Sequence, residues 1–95
     1  MKRIRTEPLN RSGVTDISLP PNSRPLSVVL HNSMMRGKVV LSSWLLPDGW
    51  EHMETVSHRV AGFVTDQGVP PHIQAGNVIG TILIDGSPHH YFFER

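Results

Sequence analysis

Short β-rich runs, each closed by Pro, Gly, Asn or Asp, recur from one end of this 95-residue chain to the other, and few stretches hold a helical period for three turns. That rhythm constrains the fold more than any other feature. It predicts strands over residues 2–9, 14–19, 26–31, 38–46, 56–64, 78–84 and 89–94. In the first of these Ile4 and Leu9 are expected to face inward. The runs LSVVLH and KVVLSSWLL flank the loop NSMMRG, which is long enough to reverse the chain and carries Gly37 where a positive φ is needed. They form the clearest hairpin. HMETVSH, residues 52–58, lacks Gly and Pro and admits a short helix, but the β-branched residues that follow favour strand. Pro88 has no donor, so it belongs in the turn after Ile84 or at the first position of the last strand. The expected architecture is mainly β: one domain over residues 1–95, a small antiparallel sandwich or partly open barrel of six to seven strands.

Composition sets the limits on function. Eight glycines and eight prolines fit many turns, and a domain of this size buries roughly 60 to 65 per cent of its unfolded surface, so the core is modest. A net charge of +1 lacks the positive field that duplex nucleic acid calls for. With no cysteine, disulfides, thiolate nucleophiles and thiolate zinc sites are excluded. The opening MKRIRTEPLNRSG is basic but lacks the apolar run of a signal peptide, and no segment approaches the roughly 18 to 20 apolar residues of a membrane span. A cytoplasmic protein with no membrane association is expected.

Catalytic patterns are equally thin. His89 and His90 are neighbours in a strand, so their side chains point to opposite faces and cannot share one metal ion. His31, His52, His58 and His72 form no HExxH or HxH pair. There is no GxSxG elbow and no Gly-rich phosphate loop, and the carboxylates sit mostly at turns, where they serve as solvated or capping groups. The chain is therefore expected to be non-enzymatic and to carry no cofactor and no metal.

Binding is the better reading. Met34, Met35 and Arg36 set two flexible thioethers beside a guanidinium at a loop tip, a chemistry that adapts to protein surfaces, and Trp50 is a candidate aromatic anchor. The segment 65–77, TDQGVPPHIQAGN, holds Asp66, Gln67, His72 and Gln74 on a backbone stiffened by two prolines. A second reading is a sponge for a small anionic, nucleotide-like signal: His58, Arg59 and His72 would hold phosphate, Asp66 would lie nearby, and Trp50 or Tyr91 would stack on a base. A third is single-stranded nucleic-acid binding through Lys2, Arg3 and Arg5 with Tyr91, Phe92 or Phe93. Residues 38–46 and 78–84 are apolar in both strand phases, which predicts burial on both faces and hence a homo-oligomer.

The order of signals resembles a family of small, uncharacterised phage and bacterial β-domains. The stretches that carry the resemblance are the basic amino end, VTDISLPPNSRPLSVVLHN, the hairpin leading to Trp44, the loop around His72 and Ile73, VIGTILIDG and the closing HHYFFER. Together they span most of residues 4–94, with IGT at 79–81 and the aromatic-Glu ending the most specific. The Met34-Met35 loop and the long 65–77 segment depart from the pattern. The resemblance implies an accessory protein of phage origin, with no catalytic residues to carry over. Small size, a net charge of +1 and the lack of a catalytic set point to an interaction protein that binds a host protein and inhibits or redirects it.

Overall fold

The computed structural model describes residues 3–64, 71 and 75–94. Seven strands follow one another: β1 (Arg3–Leu9), β2 (Gly13–Leu19), β3 (Arg24–Ser33), β4 (Gly37–Leu46), β5 (Val56–Val64), β6 (Val78–Ile84) and β7 (Ser87–Glu94). They build two antiparallel sheets, one ordered β1-β4-β3 and the other β2-β5-β7-β6, and the sheets do not close into a barrel. No α-helix occurs among the described residues. Two 3₁₀ turns, Trp50–His52 and Ala75–Asn77, precede β5 and β6. Strand therefore prevails over helix at 56–58, while the turn takes up His52.

Turn chemistry explains the connections. Gly37 ends the β3–β4 hairpin loop at φ 71°. Asp85 and Gly86, at φ 50° and 81°, form the two-residue turn between β6 and β7, which suits the right-handed twist of paired strands. That turn is shorter than the sequence suggested, so Pro88 is the second residue of β7 rather than part of the turn. The β5–β7 ladder ends at Val64↔His89, and Pro88 lies just past it, where no bond to β5 is lost. Pro8 and Pro25 are accommodated by the same logic, because β1 and β3 are the edges of their sheet and β3 carries a bulge beside Pro25.

Strict alternation along β4 decides what lies inside. Val40, Ser42, Trp44 and Leu46 are buried between the sheets, whereas Val39, Leu41, Ser43 and Leu45 lie half-buried on the outer face. Leu9, Ile17, Leu19, Val28, Val60, Ile84 and Tyr91 complete the core. Ile4 is a correction. It pairs with the outward Leu45 and is 60% exposed, while Leu9 pairs with Val40 and is buried, since an odd separation along a strand puts two residues on opposite faces.

Trp44 joins the layers. Its indole meets the His58 and Phe93 rings of the second sheet edge-on at 5.7 Å, and its Nε1 donates to Ser42 Oγ at 2.8 Å. Ser42 in turn donates to the Glu7 carbonyl at 2.9 Å, so this buried polar chain is satisfied. Along one margin β3 and β6 touch: a Cβ added to Gly80 would lie 3.0 Å from the Cβ of Val28. Lys38 pairs with Asp85, and the hydrogen bond and positive charge hold that carboxyl below its ordinary range.

Candidate functional site

Two regions at opposite ends of β3 carry unusual surface chemistry. The ten residues of β3 run from Arg24 to Ser33, which at about 3.3 Å per residue separates the two regions by roughly 30 Å.

At the carboxyl end stands the hairpin tip. Ser33 Oγ accepts from the amides of Met35 and Arg36 at 3.3 and 3.2 Å, which fixes the loop backbone. Met34 and Met35 project fully into solvent and Arg36 is exposed beside them. The methionines therefore fill no part of the core. Two adjacent thioethers give the tip an apolar, flexible surface that can adapt to a contacting protein.

The amino end of β3 opens on a groove of about 760 Å³. Its walls come from the turn and first residues of β3 at 22–26, the start of β5 at 57–59, the segment 76–79 and the end of β7 at Phe93 and Glu94. Asn22 adopts φ 67°, which lets the chain reverse between β2 and β3, and Ser23 anchors the turn by donating Oγ to the Pro20 carbonyl at 2.7 Å. His58 is buried, with its ring stacked on Phe93 at 6.0 Å. Its Nδ1 must donate to the Val56 carbonyl at 3.0 Å, because a carbonyl only accepts. With Nδ1 the donor, a neutral ring leaves Nε2 as an acceptor. The residue also lines the groove, and no hydrogen bond of its Nε2 occurs among the described residues. Arg59 gives Nε to Asp16 at 3.2 Å, and Ser57 donates to the same carboxylate at 3.3 Å. Arg24 makes no ion pair among the described residues.

The predicted site residues divide between these places and others. Met34, Met35 and Arg36 form the tip. His58 and Arg59 both line the groove. Trp50 does not serve as a bare anchor: it is half-buried against the core, and the Arg3 and Arg5 guanidinium carbons lie 5.4 and 5.8 Å from its ring centre. Tyr91 cannot stack on a ligand, because it is buried and its hydroxyl donates to the Arg11 carbonyl at 2.9 Å. Burial pushes that phenol up to about 12. Asp66 and His72, with Lys2, Gln67 and Gln74, lie outside the described residues. Phe92 is buried as well, beside Phe63, which removes it as an exposed stacking surface for a single strand.

His89 and His90 occupy opposite faces of β7. His89 is buried with Nδ1 on the Ser87 carbonyl at 2.9 Å, and His90 lies 3.0 Å from Thr81 Oγ1. Sequence reasoning missed Arg24, Asn22, Asn77 and Phe93 as neighbours of His58. The only local signal was an arginine held between a turn and a proline in NSRP. Among the described residues no group of three or more His, Asp or Glu side chains is placed to hold a metal ion. Comparison with protein families, with curated proteins and with solved structures finds no match to this chain.

Proposed function

We propose that this protein is a non-enzymatic cytoplasmic interaction module that binds a partner protein through the β3–β4 hairpin tip. The observation that carries the reading is the full exposure of Met34 and Met35 beside Arg36 on a turn whose backbone is pinned by Ser33. Methionine's unbranched chain adapts to an irregular partner surface, and the guanidinium adds a directional charge at the rim. Resemblance to phage and bacterial accessory domains makes a host protein the expected partner and inhibition or redirection the expected outcome. Behind the tip, the outer face of the β1-β4-β3 sheet presents Ile4 and Val29 to solvent beside half-buried Leu41 and Leu45. A second copy covering this face is part of the proposal, and light scattering at micromolar concentration tests it: a monomer mass at every concentration removes self-association.

Capture from host lysate tests the tip. Wild type and the double variant Met34→Ser/Met35→Ser are compared, with a photo-crosslinking residue at position 36 to report proximity. Loss of a crosslinked partner in the double variant is the expected result. Equal recovery of every partner by both proteins overturns the site.

A further inference from the structure

The groove at the other end of β3 has a recognisable charge and hydrogen-bond pattern, independent of the tip. Its rim carries two cations and two nearby acids. Arg59 serves Asp16 through Nε, and Glu94 stands opposite Arg59 in the β5–β7 register. Arg24 is left over, the one groove cation without an ion pair among the described residues. A guanidinium with five donors and no carboxylate suits an oxyanion such as phosphate.

The floor asks for something different. His58 lines the groove with Nδ1 committed to the Val56 carbonyl, so a neutral ring offers a ligand only the Nε2 acceptor, and a ligand that engages it must bring an N–H or O–H. Leu26 on β3 and Val78 on β6 both line the groove and are 49% and 43% exposed. Apolar surface on two walls favours a flat, weakly hydrated body between them. An aliphatic acid satisfies Arg24 and the walls but leaves Nε2 without a donor. A free sugar phosphate brings donors but nothing for Leu26 and Val78. A purine nucleotide meets all three requirements, because its phosphate, ring faces and exocyclic or ring N–H lie at different points of one small molecule. The volume of about 760 Å³ falls within the range of roughly 300–1,000 Å³ usual for small-molecule sites.

We infer that the groove between the start of β3 and the start of β6 binds a purine nucleotide, with phosphate on Arg24 and the base edge on Nε2 of His58. Asn77 lies along the same wall and offers an amide that can both donate and accept.

The test uses the full chain with adenosine 5′-monophosphate and guanosine 5′-monophosphate as probes, against adenosine and inorganic phosphate. Calorimetry gives affinities, and amide chemical shifts locate the ligand. At least one nucleotide is expected to bind, with shifts concentrated in residues 22–26, 57–59 and 76–79, and more tightly than its nucleoside or phosphate. Arg24→Ala, an exposed change that leaves the core intact, should weaken binding about tenfold or more, since hydrogen bonds to charged groups are of that order. Leu26→Trp, which adds bulk to the groove and removes no polar group, should do the same. Absence of shifts at millimolar nucleotide overturns the inference. So does equal affinity for inorganic phosphate, unchanged affinity in Arg24→Ala, or shifts confined to Arg3, Arg5 and Trp50.

Discussion

Trp44 and Trp50 are six positions apart, and the fold treats them in opposite ways. Trp44 lies mid-strand in the inward phase of β4, wholly enclosed, with its ring edges against His58 and Phe93 and its N–H bonded to Ser42. Trp50 comes after the strand has ended, in a 3₁₀ turn entered through Gly49 at φ 80°. The Arg3 and Arg5 guanidinium carbons lie 5.4 and 5.8 Å from its ring centre, on residues in the inward phase of an edge strand. The first indole is held by groups that cannot move without opening the sandwich. The second is held by long side chains that rotate freely once displaced. Charges pointing inward from an edge strand also discourage pairing with another chain, so Arg3 and Arg5 cover Trp50 and blunt the β1 edge together.

Removal of the central indole is the strongest way to expose that contrast. Trp44→Ala should cost about 3–5 kcal/mol, a large share of the roughly 5–14 kcal/mol expected of a chain this long, and urea denaturation measures it. Trp50→Ala should cost only about 1.5 kcal/mol, since a half-buried ring gives up about half the burial energy. Equal losses at the two positions would break the comparison.

The enclosed side extends to Tyr91, whose hydroxyl holds the β1–β2 loop through Arg11. Tyr91→Phe should cost about 1 kcal/mol at neutral pH. It should also change the alkaline limb. The folded-state value of about 12 lies above the ordinary 10.0, so the stability this phenol contributes is complete below pH 10 and is lost as pH rises through 12. Thermal melts from pH 8 to 11.5 should show the wild type losing stability more steeply above pH 10 than Tyr91→Phe, and parallel curves would contradict the assigned burial.

The smallest effect belongs to the arginines. Arg3→Ala and Arg5→Ala should each cost about 0.5–1 kcal/mol while making indole fluorescence more accessible to acrylamide, with Trp44 still shielded. Quenching unchanged in the double variant would mean that Trp50 is covered by something other than these two side chains.

Local physics made much of this legible in the sequence. Alternation of period two, β-branched residues and the turn residues Gly37, Asp85 and Gly86 act over a few positions, so seven strands and the β3–β4 hairpin could be read directly. The opposite placement of His89 and His90 followed from strand geometry alone. β4 was ambiguous for the same reason: KVVLSSWLL is apolar in both phases, and nothing local says which phase is covered. That choice, and with it the enclosure of Trp44 rather than Leu41 or Leu45, came from how the sheets stack. So did Tyr91, which looked available for stacking until the second sheet's inner face was fixed. The groove was least legible, because Arg24, His58, Asn77 and Phe93 come from four separate segments that meet only through the orders β1-β4-β3 and β2-β5-β7-β6 and the contact between β3 and β6. The sequence by itself determined where strands begin, end and turn, since steric preference and backbone hydrogen bonding are short-ranged. Tertiary structure alone decided sheet order, the covered faces and the convergence of distant polar groups, since these follow from the apolar surface the whole chain can bury at once.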